Sequence, residues 1–197
     1  MARTIAKDHD AKRRQILSVA AQVFAQEGYD RASMNQVAAT AGISKANIYH
    51  YYNGKEDLLY ALLEEYLTEL RSRVLAIPTT GTAPETQLRL TVQEILRAYQ
   101  GADDTHRVLV AGLSPLPEAR RTALQAIQRD MVRRLSSILA EVAPSLADDR
   151  ARLRAATMSI FGMLNWHFMW NPGAGPEDRD SYASLVTDLT LGGVRHL

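Results

Sequence analysis

"GISKANIYHYYNGKEDLL", residues 42–59, decides how this chain is read. Tyr49, His50, Tyr51 and Tyr52 stand in a row within it, with Lys45, Asn47 and Lys55 close by. A packed core does not require such a run, and a plain solvated surface does not favour it. Punctuation on both sides gives it a setting. Ser44 has the chemistry of an N-cap for a short helix, "KANIYHYY". Asn53 and Gly54 break that helix. Upstream, Ser33 caps "MNQVAATAG" and Gly42 marks its end. Two short helices joined by "AGIS" form a helix-turn-helix candidate.

The second helix has about eight residues, roughly 12 Å at the α-helical rise. A helix that short is marginal alone and an unnatural choice for a core. It does fit the DNA major groove, which admits one helix. Lys45, Asn47 and the first-turn backbone then face base edges and phosphates. Tyr49 and Tyr51 offer hydroxyls to phosphate and ring faces to sugar or thymine methyls. Lys55 starts the next helix, where lysine and free backbone N–H groups together favour an anion, and Ser33 stands in the same position at the first short helix. Ile48 and Tyr52, four apart, face inward. The candidate DNA-binding residues are Ser33, Asn35, Ser44, Lys45, Ala46, Asn47, Tyr49, His50, Tyr51 and Lys55. The competing reading of the tyrosine run is the edge of an amphipathic core.

The rest of the chain is read as helical. Ile16, Leu17, Ala20, Val23 and Phe24 form a stripe that Gly28 ends. A long helix over 55–77 carries Leu58, Leu59, Leu62, Leu63, Tyr66, Leu67, Leu70 and Val74. After the loop "PTTGTAP" (78–84) come a helix near 88–99, a short apolar segment around 108–113, and helices near 118–142, 149–170 and 182–194, with "APSLADD" as a turn and "NPGAGPED" as a loop. No run alternates like a strand. The expectation is an all-α chain of about nine helices, with a three-helix head at 1–54 and a larger helical body at 55–197.

Composition excludes several classes. The 197 residues include no cysteine, which removes disulfides and thiolate metal sites. No stretch approaches the roughly 18–20 apolar residues of a membrane span, and the start "MARTIAKDHD" lacks a secretory apolar run. A cytoplasmic protein without a membrane partner is expected. Net charge is +1, but residues 1–60 carry a mild basic excess, with Lys7, Lys12, Arg13 and Arg14 grouped. Such a group also suits a solvated helix end. His9, His50, His106, His167 and His196 are scattered and form no metal-ligand spacing. No phosphate loop or nucleophile elbow is present. Neither an enzyme nor a metal site is expected.

Residues 13–59 resemble the N-terminal domain of TetR-type transcriptional regulators. The matching features are Arg13 three before "IL", Ala20–Ala21, Phe24, "EGY" at 27–29, "VAATAGISKANIYHYY" at 37–52 and "KEDLL" at 55–59. Departures are Ser33 in place of the usual threonine, Ala46 where glycine or proline is common, and Tyr52 for phenylalanine. The resemblance implies a DNA-binding head linked to an effector-binding and dimerisation body. It further implies a homodimer, formed through the last two long helices, on a double-stranded palindromic operator. The regulator usually represses and is released by a small molecule.

The stretch "MSIFGMLNWHFMWNPGAG" (158–175) holds both tryptophans, two of the three phenylalanines and three of the six methionines. Such residues suit a ligand pocket and a dimer interface equally. Gly162 costs its helix on the order of 1 kcal/mol against alanine, so a close helix approach or a pocket wall is expected there. With "RVLVAGLSPLPEAR" and the C-terminal "GG", this segment is more loosely similar to the bodies of an acyl-CoA-responsive TetR branch. Asn171–Pro172 departs from that branch after the second tryptophan. The similarity implies no bound cofactor and a small-molecule effector of acyl-CoA or aryl-acyl-CoA type. Tyr99, Arg107, Phe161, Met163, Trp166, His167 and Trp170 are the expected pocket residues. Arg107, Arg120, Arg121, Arg129, Arg133 and Arg134 are available to CoA phosphates. Two alternatives stay open: a regulator of efflux or stress genes sensing a hydrophobic ligand that is not a CoA ester, and a helical adaptor that does not bind DNA.

Overall fold

A computed structural model describes residues 2–194, with side chains from residue 9 onward. His196 and the side chain of Lys7 therefore lie outside the described residues. All regular structure among them is helical, in ten helices: α1 (Ala2–Glu27), α2 (Met34–Thr40), α3 (Lys45–Tyr51), α4 (Lys55–Leu75), α5 (Pro84–Ala98), α6 (Asp103–Ala111), α7 (Glu118–Val142), α8 (Pro144–Ala147), α9 (Arg150–Trp170) and α10 (Pro176–Val194).

The expected elements are present with shifted bounds: α1 starts at Ala2, well before the Ile16 stripe, α5 starts at Pro84 and not near 88, and α6 spans Asp103–Ala111 and not 108–113. The stretch read as the turn "APSLADD" contains the single-turn helix α8, started by Pro144 at its first position. Its anchor is Leu146, which is buried. The last helix begins at Pro176, six residues before the expected start. Proline fits a first helical turn because its missing N–H would be unpaired there anyway, and Glu177 and Asp178 follow it. These residues read as loop in the sequence because they add no apolar stripe.

Contacts divide the chain into two compact units, one formed by residues up to Tyr66 together with Asp104–Leu124, the other by Leu67–Asp103 and the residues from Gln125 on. The boundary expected after residue 54 lies inside the first unit. In this unit α2 packs on α1 and α3 on α2. Ile16, Leu17, Val23 and Phe24 of α1, Val37 of α2, Ile48 of α3, and Leu58, Leu59 and Leu63 of α4 are all buried. Their threes-and-fours spacing put them on one face of each helix. Gly28 ends α1 at φ 79°, a conformation costly for residues with a Cβ.

In the second unit α10 lies along α5, and both contact α9. Leu88, Val92, Ile95 and Leu96 of α5 meet a core that includes Leu135, Ile138 and Leu139 of α7, Leu164 of α9 and Val186 of α10. Thr157, Thr187 and Thr190 are buried without orphan hydroxyls, because each donates to the carbonyl four residues back.

Candidate functional site

The turn between α2 and α3 is built by its backbone. Gly42 takes φ 65°, its N–H donates to Ala39 O at 3.1 Å, and the N–H of Ile43 donates to Ala38 O at 3.0 Å. This pair of bonds closes a helix C-terminus in a Schellman arrangement. Gln15 of α1 braces the turn, Nε2 donating to Ala41 O at 3.2 Å. Ser33 Oγ accepts from Gln36 N at 3.2 Å and Ser44 Oγ from Asn47 N at 3.1 Å. Both serines are exposed, and each hydroxyl keeps its proton to donate outward.

Along α3 only Ile48 is buried. Lys45, Ala46, Asn47, Tyr49 and His50 are exposed and Tyr51 is half-buried. Tyr52, just past the helix, is buried and turned inward as expected. One apolar anchor thus holds a helix whose remaining surface, Ala46 apart, is polar and aromatic. His9 of α1 stacks on Tyr51 at 4.8 Å, while His50 meets the same ring edge-on at 5.6 Å. Ser33, Asn35, Tyr49 and Lys55 line one open depression of about 370 Å³, so the fold brings together expected DNA-binding residues from three helices.

Lys55 requires a correction. Its ammonium group was expected to hold an external anion. Instead Nζ donates to the carbonyls of Tyr29 at 2.7 Å, Asp30 at 3.1 Å and Ala32 at 2.9 Å, and lies 4.4 Å from the centre of the Tyr29 ring. An ammonium has three donors, and all three are used. Lys55 therefore clamps the α1–α2 loop and, through it, Ser33 at the start of α2. The three carbonyls contribute no side chain, so nothing in the sequence pattern marks them as acceptors.

The first unit is reinforced by arginines. Arg13 pairs with Glu65 at 3.0 Å. Arg120 of α7 binds Asp57 and, at 3.2 Å, Glu56, both in the first turn of α4. The hydrogen bond from Arg120, aided by Asn53, holds the Asp57 carboxyl below its ordinary pKa. The arginines expected to be available for CoA phosphates are largely occupied. Besides Arg120, Arg121 donates to Leu116 O, Arg133 to Asp130 and Arg134 to Ile77 O.

The expected pocket residues do not share one environment. Arg107 is exposed and belongs to the first unit. In the second unit Tyr99, Phe161 and His167 are buried. Trp166 and Trp170 are 55% and 56% exposed on α9, so within one chain they line no interior pocket. Tyr99 donates to Asn165 Oδ1 at 2.7 Å, and burial raises its phenolic pKa. Met158, Trp166 and Met169 mark the outer face of α9, Leu185 and Leu189 that of α10. Between the two helices runs a shallow groove of about 250 Å³ lined by Ile160, Met163 and Leu189 among others. A Cβ added at Gly162 would meet nothing within 4 Å. The close approach expected at this glycine is therefore not made by the chain itself.

Sequence comparison adds identity to this geometry. Residues 16–62 match the family model for bacterial regulatory proteins of the tetR family, and residues 81–194 match that of a tetracyclin repressor-like C-terminal domain. The chain belongs to the TetR family of transcriptional regulators. These are regulators and not enzymes. They bind operator DNA, typically as dimers, with small-molecule effectors. One relative is the HTH-type transcriptional activator FasR of Mycolicibacterium smegmatis, 26% identical over 95% of this chain and 85% of that protein. Another is the fatty acid metabolism regulator protein of Bacillus subtilis, 26% identical over 96% of this chain and 99% of that one. Among solved structures, a TetR-family regulator from Bordetella parapertussis superposes with a TM-score of 0.86 at 31% identity, covering 94% of this chain and 96% of that chain. No helix of this TetR-family chain, among the described residues, is long and apolar enough to cross a membrane.

Proposed function

We propose that the protein is a cytoplasmic, homodimeric repressor released from a palindromic operator by a small acyl ligand. The observation that carries the DNA part is the surface of α3, where a single buried residue, Ile48, leaves Lys45, Asn47, Tyr49 and His50 outward. Asn47 and Lys45 reach base edges in the major groove, where asparagine suits adenine and lysine suits guanine. Ser33, Ser44, Tyr49 and Tyr51 donate to phosphates. Ala46 lies against a thymine methyl or sugar, and Asn35 and His50 flank the groove.

The dimer forms through the outer faces of α9 and α10. Large apolar side chains exposed in a continuous stripe mark an association surface, and a two-fold axis makes one such stripe cover itself. Two heads so joined meet half-sites one helical turn, or a multiple of it, apart. The acyl ligand is supported by the name of the Bacillus subtilis relative, a fatty acid metabolism regulator matched over nearly the whole chain. A ligand releases DNA only by binding the non-operator conformation more tightly.

The test is gel-shift titration of DNA upstream of the protein's own gene, with and without acyl-CoA thioesters and the free acids. Sequence-specific binding that one acyl compound abolishes is expected. Asn47→Ala should lower operator affinity about tenfold and relax preference at one position of each half-site. Binding to random DNA of equal strength would overturn the operator reading. Raised transcription from the bound promoter, matching the role in the name of the Mycolicibacterium smegmatis relative, would replace repression with activation.

A further inference from the structure

The corner where α9 meets α10 holds a polar cluster that none of the contacts above explains. Arg179 is 1% exposed. Its Nη2 donates to Asp103 Oδ1 at 2.9 Å and its Nε to Ala174 O at 3.1 Å, yet Nη1 has no hydrogen-bond partner. His167 is also 1% exposed, and neither of its ring nitrogens has one. Arg179 is close enough for its charge to act on His167, and Tyr182 stands one turn after Arg179 on α10. Tyr182 stacks on the His167 ring at 4.6 Å and 21°. Its hydroxyl is already used, donating to Met163 O at 3.1 Å.

A buried donor left unpaired loses its bonds to water and gains nothing in return. Two such residues side by side are a poor arrangement for a core, and apolar side chains would fill the corner at lower cost. Here donors outnumber acceptors. Arg179 Nη1 offers two N–H groups, and a neutral histidine offers one N–H and one lone pair. What fits is an oxygen acceptor. Its charge is constrained as well. Arg179 is neutralised by Asp103, so a carboxylate would add an uncompensated negative charge unless His167 took up a proton. A carbonyl oxygen adds none. On α9, His167 ends the buried row Ile160–Leu164–His167, so the polar corner closes one end of an apolar stripe. Trp170, edge-on to His167 at 4.8 Å, is half exposed, which puts the cluster one side chain below the surface.

We propose that Arg179 and His167 form the polar end of the effector site and receive the carbonyl oxygen of an acyl group, with the hydrocarbon part along the α9 stripe. This rests on the ligand-responsive reading above and names the atoms that recognise the ligand. It favours a thioester over the free acid. A free acid at this site would bind more tightly as pH falls, because protonated His167 would balance it.

The test titrates operator-bound full-length protein with butyryl-, octanoyl-, palmitoyl- and phenylacetyl-CoA and with the four free acids, at two pH values. Wild type is compared with His167→Phe, which keeps the ring stack and removes both nitrogens. It is also compared with Arg179→Lys, which keeps the charge facing Asp103 and removes the Nη1 donors. Thermal melting and operator affinity of each variant are read alongside. The expected result is at least about a tenfold rise in the thioester concentration needed for release, in either variant that folds, at unchanged operator affinity. Release of variant and wild type at the same concentration overturns the assignment and leaves the acyl-responsive regulator standing, with ordered water as what the cluster holds. If no acyl compound acts on wild type, the acyl reading falls together with this assignment, while DNA binding is unaffected. Tighter binding of a free acid at the lower pH, lost in His167→Phe, keeps the site and makes the acid its ligand.

Discussion

The two units present opposite surfaces to whatever they bind. On α3 the exposed residues other than Ala46 are polar and aromatic, and the sole buried one is Ile48. On α9 and α10 the exposed residues include Met158, Trp166, Leu185 and Leu189, while Arg179, His167 and three threonines are buried. The difference follows from the partner each surface suits. DNA offers phosphates and hydrogen-bonding base edges, so a reading helix keeps its polar groups outside and needs only enough apolar area to stay seated. A second protein copy offers apolar surface, so a dimerising helix shows apolar groups outward. Polar groups in its interior then need another reason to be there.

The strongest way to break this comparison is at Ile48. If α3 is seated by that side chain alone, Ile48→Ala removes its only buried anchor. A loss of about 2–4 kcal/mol is expected from burial of this kind. Operator binding should disappear while the second unit keeps its structure. Thermal unfolding followed with gel shifts checks it. Retained operator affinity would mean that backbone bonds at Gly42 and the Ser44 cap hold α3 without it.

Lys55 sharpens the comparison on the DNA side. A hydrogen bond from a charged donor contributes about 1.5–3 kcal/mol net of the bonds to water that it replaces, and Lys55 makes three that share one ammonium group. Lys55→Met should destabilise the first unit by roughly 2 kcal/mol and weaken operator binding by misplacing α2. The discriminating quantity is the salt dependence of binding. A clamp leaves the slope of log affinity against log salt unchanged, whereas loss of a phosphate contact lowers it by about one.

How much of this was legible follows the same division. The head could be read closely because its signals are local. Ser33 and Ser44 each cap a helix through an N–H three residues on, and Gly42 makes a turn within its own neighbourhood. The body could be read as helices but not as a site. Trp166 and His167 are adjacent in sequence, yet one is exposed and the other buried, because successive helical residues point about 100° apart. Which side is inside depends on α5 and α10, which arrive from distant parts of the chain. Arg179 was missed for the same reason. It stands between the loop read at 171–178 and the helix expected from 182, and its partner Asp103 is 76 residues away. The clamp by Lys55 escaped notice because backbone carbonyls carry no residue signature.

Gly162 tests the apolar side with a smaller effect. Alanine there meets nothing within the chain and gains about 1 kcal/mol of helix propensity. If a partner helix crosses at this point, Gly162→Ala should raise the stability of the separated chain and loosen the dimer together. Opposite signs of the two effects are the signature, read by chemical denaturation and by sedimentation over a range of concentrations. A dimer strengthened along with the fold would place the crossing elsewhere on α9.

The smallest effect concerns acid. Burial, and after it the charge of Arg179, holds the His167 pKa below its ordinary value of 6.5, while Asp103 and Asp178 act weakly the other way. Folded His167 is thus neutral over a range of pH where the unfolded chain binds a proton. The sign follows from linkage: the unfolded state takes up more protons, so stability rises with pH in that range. The contribution is complete above pH 6.5 and is lost as pH falls from there toward the depressed folded value. Unfolding of wild type should therefore become easier between neutral and mildly acidic pH. His167→Phe should flatten that part of the profile and leave intact the acid loss due to carboxylates such as Asp57 and Asp180, whose pKa values are lowered by Arg120 and Arg97 and which titrate further down. A profile unchanged by the substitution would show that the interior at α9 and α10 admits water freely, and the contrast with the apolar buried residues of the head would then widen.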